Sequence, residues 1–119
     1  MNLVLQPKKS NLCGQACVAM LCDIDLSEAI LLVGTKKETN LVQLLDALLA
    51  YGVDCGDTHV GRTSLPTTAL LRFEEGKRSH WMLWHNKRYY DPAMGIRRNI
   101  PNYLASSKMR YFLEIKGIQ

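Results

Sequence analysis

Apolar residues recur with a helical period in the first half of the chain. The clearest stripe consists of Leu41, Leu44, Leu45, Leu48 and Leu49. Steps of three and four residues place these side chains on one side of an α-helix. Asn40 with Gln43 predicts a capping box at the start of this helix, and Gly52 predicts its end.

Two further helices are predicted before this stripe. Asp25 followed by Glu28 is typical of a helix start, and Gly34 marks the end of that short helix. Asn11 is placed to cap an earlier helix over residues 12–22, where small and apolar side chains cover most of the circumference. Because a helix that is apolar nearly all round is a buried one, we expect residues 12–22 at the centre of the fold.

The second half of the chain favours strands. The segments rich in residues that suit a sheet are 67–73, 79–84, 88–91 and 110–116. In the second of these, His80, Met82 and Trp84 share one face. His59 is predicted to lie in a weakly structured loop. Helices followed by an antiparallel sheet indicate an α+β fold.

Composition restricts the class of protein. The chain has 119 residues and is 47% hydrophobic, which suits one core and one domain over residues 1–119. Its apolar runs are shorter than the roughly 20 residues of a membrane span, so no span is predicted. Lysines follow a very short apolar N-terminus, the reverse of a secretory signal. We therefore expect a stand-alone cytoplasmic protein.

The four cysteines do not form a convincing disulfide or metal set. Cys13, Cys17 and Cys22 lie in one predicted helix, whose residues cannot generally bridge one another. Reduced thiols are therefore expected. A structural zinc site would need two close ligand pairs, and no CxxC is present. Neither a metal nor a cofactor is predicted, because no glycine-rich phosphate-binding motif occurs either.

Positive charge is concentrated in five pairs of adjacent basic residues. The net charge is +4 and the isoelectric point about 9.0. The pairs are Lys8-Lys9, Lys36-Lys37, Lys77-Arg78, Lys87-Arg88 and Arg97-Arg98. Since they fall at predicted loops and turns, we interpret them as a solvated surface. Nucleic acid is the less favoured alternative partner.

Cys13, His80 and Asp91 stand in the chain order of a thiol hydrolase. Cys13 falls in the first turn of an apolar helix, where free backbone N–H groups and the helix dipole stabilise a thiolate. His80 begins a strand and Asp91 ends the returning one, so the carboxylate can orient the imidazole. Taken alone, Cys13 would be interpreted as a buried apolar residue. The three together predict a nucleophile, a base and an orienting acid.

Two residues near Cys13 are candidates for handling the substrate. Gln6 is the preferred side-chain donor to an oxyanion, together with the backbone N–H of Cys13. Gln15 is a weaker candidate, because it points about 200° away from Cys13 around the helix. Gly14 carries no side chain where a substrate backbone would approach.

The same residues resemble those of a known family. Gln6, the helix that begins Cys13-Gly14-Gln15-Ala16-Cys17 and the hairpin from His80 to Gly95 are similar to bacteriocin-processing double-glycine leader peptidases, a family of papain-like cysteine proteases. The resemblance implies a papain-like fold and cleavage of a peptide or protein substrate after Gly-Gly. It also implies the catalytic roles of Cys13, His80, Asp91 and Gln6.

Large aromatic residues surround the predicted base and acid. We expect Trp81 and Tyr90, with Trp84 and Tyr89, to wall a narrow substrate channel in which Gly14 leaves room for the peptide. Two alternatives remain open. In the first, the domain is non-catalytic and binds a peptide or protein partner. In the second, the same thiol chemistry performs deamidation or acyl transfer.

Overall fold

Three helices precede a six-stranded antiparallel sheet in the computed structural model, which describes residues 1–60 and 64–117. The helices are α1 (Cys13–Cys22), α2 (Leu26–Val33) and α3 (Leu41–Tyr51). The strands are β1 (Asp54–Val60), β2 (Thr68–Glu75), β3 (Arg78–His85), β4 (Arg88–Asp91), β5 (Gly95–Arg97) and β6 (Lys108–Gly117), with a short 3₁₀ helix at Asn102–Leu104. The sheet order is β1-β6-β2-β3-β4-β5. The predicted α+β class is confirmed.

Helices α2 and α3 begin and end where the sequence predicts. The Asp25 side chain accepts a hydrogen bond from the backbone N–H of Glu28 at 2.8 Å. Asn40 and Gln43 form a reciprocal capping box before α3. Gly34 and Gly52 end the two helices with φ of 90° and 100°, a conformation that side chains disfavour.

The start of α1 differs from the prediction. Leu12, not Asn11, is the N-cap residue, and no side chain caps the helix. Leu12 already has a near-helical backbone, with φ −95° and ψ 18°, so Asn11 lies one residue too early to reach the amides of the first turn. All ten residues of α1 are buried, as its composition predicts. The first-turn N–H groups are therefore left without a side-chain partner.

The β3–β4 hairpin confirms the predicted pairing. Asn86 and Lys87 form its two-residue turn with φ of 48° and 64°, values that suit the twist of the flanking strands. Leu83 pairs with Tyr90, and Trp84 with Tyr89. The hairpin therefore returns the chain past β3 and ends at Asp91.

The prediction of a weakly structured loop around His59 is wrong for the segment up to Val60. Residues 54–60 form the edge strand β1, which pairs with β6. His59 lies in β1 and stacks on Phe112, with ring centroids 4.9 Å apart. Gly56 and two aspartates are poor strand formers, so β1 depends on pairing with the distant β6. Residues 61–63 lie outside the described part of the chain.

The sheet separates two apolar clusters. One face packs α1 and α3 against Trp81, Leu83 and Leu113, whereas the other face buries Phe73, Met82 and their neighbours. This alternation along β3 is the predicted one. No helix in residues 1–60 and 64–117 is long and apolar enough to cross a membrane.

Candidate active site

His80 on β3 and Asp91 at the end of β4 form a hydrogen bond between the two strands of the hairpin. Imidazole Nε2 lies 2.7 Å from Asp91 Oδ1, so Nε2–H donates to the carboxylate. Asp91 Oδ1 also accepts from the backbone N–H of Ala93 at 2.9 Å. The Asp91 side chain is fully buried, and that of His80 is nearly so. With Nε2 engaged, Nδ1 is the ring nitrogen left for another partner.

Cys13 is the first residue of α1 and is 8% exposed, at the wall of a cleft. Burial by itself lowers the pKa of His80. Hydrogen bonds to Asp91 and Cys13, and the charges of both, outweigh burial and raise that pKa from 6.5 to about 9. The structure therefore brings the three residues together and keeps the imidazole protonated at neutral pH.

Tyr103 is a member of this cluster that the sequence did not indicate. It lies in the 3₁₀ helix, and its hydroxyl donates to Asp91 Oδ2 at 2.5 Å. The same hydroxyl oxygen lies 3.0 Å from His80 Nε2. Burial opposes ionisation of Asp91, yet hydrogen bonds from His80 and Tyr103 hold its pKa below the ordinary value. No local sequence signal identifies Tyr103, because only the chain path after β5 carries it to Asp91.

A backbone hydrogen bond holds Gln6 at the cleft. Its N–H donates to the carbonyl of Pro92 at 2.9 Å, which ties the N-terminal segment to the end of β4. The Gln6 amide nitrogen donates to the carbonyl of Ser10 at 2.8 Å, while its Oε1 is buried with no partner among the described residues. One N–H of the amide is therefore already used inside the protein.

Gly14 has a packing role instead of the predicted contact with substrate. A Cβ at this position would overlap Thr39 Oγ1 and would come within 3.2 Å of the Leu44 methyl groups. Thr39 and Leu44 are both buried. Gly14 therefore allows the segment before α3 to pack directly against α1, and it does not line the cleft.

The four aromatic residues that were predicted to wall a substrate channel lie away from this cleft. Trp81 is 1% exposed and belongs to the core on the helix side of the sheet, where its indole N–H donates to the carbonyl of Thr39 at 3.2 Å. Tyr90 packs against the same cluster, and Trp84 and Tyr89 pack on the opposite cluster. None of the four lines the cleft. The alternation of a strand sends neighbouring aromatics to opposite faces, so they cannot enclose one channel.

The cleft beside Cys13 has a volume of about 490 Å³. The residues that line it are Gln6, Ser10, Asn11, Cys13, Glu38, Phe73, Glu75, Lys77, Arg78, Ser79, His80, Tyr103, Leu104 and Ser107. Phe73 and Leu104 give it an apolar part, whereas side chains of both charges stand nearby. A cleft of this size and mixed chemistry fits a short stretch of polypeptide.

Burial raises the pKa of each of the other three cysteines. Burial raises the pKa of Cys17 well above its ordinary value, and the charges of Cys13 and Asp91 add to that rise. Burial, with Cys55 nearby, raises the pKa of Cys22 to about 11. Burial, with a smaller effect of Asp54, also raises the pKa of Cys55. Within residues 1–60 and 64–117, no group of three or more His, Cys, Asp or Glu side chains could hold a metal ion.

The other candidate residues lie away from the reactive cluster. Gln15 is buried and donates to the carbonyls of Thr35 and Lys37, both at 2.9 Å, so it holds the segment between α2 and α3. His85 bonds to Thr68 Oγ1 at 2.8 Å through Nδ1. The basic pairs lie at turns and strand ends, as predicted. Of these pairs, Lys77-Arg78 lines the cleft.

No protein-family model matches the chain, and no curated protein matches its sequence. Because a fold by itself does not determine function, the function has to be inferred from the chemistry of the site.

Proposed function

We propose that the protein is a papain-like cysteine peptidase, a thiol hydrolase of peptide bonds. The observation that supports this most strongly is the hydrogen bond of His80 to the buried carboxylate of Asp91, at a cleft that His80 shares with Cys13. Cys13 stands there at an uncapped helix start, and its charge helps to raise the pKa of His80. A nucleophile, a base and a group that orients the base are what acyl transfer requires.

In the first half of the reaction, the Cys13 sulfur attacks the carbonyl carbon of the peptide as a thiolate, and the carbonyl electron pair moves onto oxygen. Backbone N–H groups at the start of α1 stabilise that oxyanion, since no side chain caps them. Gln6 adds a second donor once its amide gives up the weaker of its two contacts with Ser10, the one to Oγ at 3.5 Å. The intermediate collapses when protonated His80 gives its proton to the leaving amine.

In the second half, a water molecule attacks the thioester carbon. Neutral His80 takes the proton of that water, the carbon–sulfur bond breaks, and the carboxylic acid leaves. Asp91 holds the imidazole by Nε2 throughout and stabilises its charged form. Protons and electron pairs therefore balance without a metal or an external oxidant.

The test is digestion of a set of flexible peptides, followed by mass spectrometry of the products. We expect cleavage by wild type, none by Cys13→Ala, and a thioester adduct on Cys13 in rapidly quenched samples. His85→Gln is the matched control, because His85 bonds to Thr68 outside the cleft. Equal cleavage by Cys13→Ala would refute a thiol mechanism. Peptide binding without cleavage by wild type would favour the non-catalytic binding domain.

The resemblance to double-glycine leader peptidases adds a finer proposal, cleavage after Gly-Gly. The aromatic walls that would have supported it are not at the cleft, so the proposal stands on the resemblance alone. Replacement of the second glycine by leucine is expected to lower kcat/KM at least tenfold, about 1.4 kcal/mol. Comparable rates for the two peptides would eliminate the Gly-Gly proposal and leave the thiol hydrolase in place.

A further inference from the structure

The buried carboxylate of Asp91 has a different partner on each oxygen. Oδ1 accepts from His80 Nε2 at 2.7 Å and from the Ala93 N–H at 2.9 Å. Oδ2 accepts from the Tyr103 hydroxyl at 2.5 Å. Because Asp91 is fully buried, each of these bonds replaces one that water would otherwise make. Tyr103 therefore supplies a necessary part of the carboxylate's environment.

Tyr103 reaches this position from its own element. Leu104 of the same 3₁₀ helix is buried with Phe73 in the cluster on the far side of the sheet, which anchors the segment. The Tyr103 side chain is different, since the residue is 46% exposed and lines the cleft. Its ring meets the His80 ring edge to face, with centroids 5.8 Å apart. Its hydroxyl bonds to the fully buried carboxylate while much of the residue stays exposed, which indicates that the hydroxyl, more than the ring, is what the site uses.

We propose that Tyr103 is a positioning residue, which holds the Asp91 carboxylate against His80 and takes up part of its negative charge. Its catalytic consequence rests on the proposed function, whereas its effect on His80 does not. The Tyr103 hydroxyl oxygen also lies 3.0 Å from His80 Nε2, but the Nε2–H is directed at Asp91 Oδ1 at the shorter distance of 2.7 Å. The main effect of the hydroxyl is therefore its donation to Oδ2, which weakens the pull of Asp91 on the imidazolium. Without the hydroxyl, Asp91 faces His80 with its whole charge, so His80 retains its proton more firmly.

The experiment compares Tyr103→Phe with wild type by NMR titration of the histidine side chains. His80→Gln identifies the His80 signal, and Tyr51→Phe is the matched control, a tyrosine on α3 away from the cleft. We expect Tyr103→Phe to raise the pKa of His80 by roughly half a unit or more, with His59 and His85 unmoved. An unchanged or lowered pKa of His80 in Tyr103→Phe would overturn the proposal.

Steady-state kinetics distinguishes a positioning role of Tyr103 from a role in packing alone. The Tyr103→Phe variant should lose roughly 5- to 50-fold in kcat with KM nearly unchanged, because proton donation to the leaving amine slows. The alkaline decline in its pH profile should shift to higher pH, together with the pKa of His80. An effect confined to KM would overturn the positioning role.

Two outcomes keep this proposal distinct from the peptidase proposal. The NMR titration needs no turnover, so an inactive wild type with a shifted His80 in Tyr103→Phe would refute only the proposed function. If Tyr103→Phe failed to fold, ¹³C-tyrosine titration of wild type would decide. Burial and the bond to Asp91 raise the pKa of Tyr103, and a Tyr103 phenol that ionised with the exposed tyrosines would overturn the proposal.

Discussion

His80 Nε2 lies 2.7 Å from Asp91 Oδ1 although the two residues are eleven positions apart. The tight turn at Asn86 and Lys87 folds β4 back along β3 and brings the carboxylate to the imidazole. Burial of Asp91 makes the pair strong, because water does not compete for the bond.

Iodoacetamide at neutral pH should modify Cys13 before the other three cysteines. Cys13 lines the cleft next to His80, whereas Cys17 is fully buried and the pKa of Cys22 is raised to about 11 by burial and by Cys55. Since only the thiolate reacts, the others should lag. Peptide mapping of briefly labelled protein measures the order. Slower labelling of Cys13 than of Cys55 would remove the chemical basis of the peptidase proposal.

Substitutions in the triad should have graded effects on turnover. Cys13→Ala and His80→Ala should abolish peptide cleavage. Asp91→Asn should lower kcat by roughly 10²- to 10⁴-fold and leave some residual activity. The asparagine keeps the shape of the aspartate side chain but loses the charge that orients His80. His85→Gln should match wild type. Circular dichroism verifies that each variant is folded, and a His80→Ala variant that kept most of its activity would show that the base is misassigned.

Peptide cleavage should decline above about pH 9. Hydrogen bonds to Asp91 and Cys13 outweigh the effect of burial and raise the pKa of His80 to about 9. Because the protonated imidazole donates to the leaving amine, kcat/KM falls as His80 loses its proton. A profile from pH 5 to 10.5 on one peptide measures this limb. A decline already centred near pH 6.5 would contradict the environment that we describe for His80.

The same pKa makes folding stability depend on pH. A raised pKa in the folded state contributes stability that is complete below pH 6.5 and is lost as pH rises through about 9. The contribution is on the order of 3 kcal/mol. The free energy of unfolding of wild type minus that of His80→Gln should therefore be larger at pH 6 than at pH 10. The difference between the two proteins cancels the titration of Cys17, Cys22 and Cys55, whose pKa shifts do not depend on His80. A constant difference would argue against the raised pKa of His80.

Gly14→Ala should destabilise the fold by about 1 to 3 kcal/mol, since its Cβ overlaps Thr39 Oγ1. Thr39→Ala removes that oxygen, which has no hydrogen-bond partner among the described residues. The double variant should therefore recover part of the loss. Urea unfolding of the two single variants and the double variant measures the coupling. An unchanged stability of Gly14→Ala with a raised KM would restore the predicted contact with substrate.

Much of the framework could be predicted because it depends on neighbours in the chain. The ends of α2 and α3 follow from caps and glycines within four residues. The β3–β4 turn and the opposite faces of Met82 and Leu83 follow from local alternation. Such features are local, so the sequence alone determines them. The chain order of Cys13, His80 and Asp91 suggested a group, but these residues are far apart in the chain and only the fold places them at one site.

The tertiary structure decided what depends on distant partners. Strand β1 exists because β6 pairs with it, and Tyr103 meets Asp91 because the 3₁₀ helix after β5 places its hydroxyl beside His80 and Asp91. Gly14 serves packing because Thr39 lies against it, and Trp81 faces the core because α1 covers that side of the sheet. In each case the outcome depends on contacts between residues far apart in the chain. Local propensity carries no information about such contacts, so only the folded arrangement could assign these residues their roles.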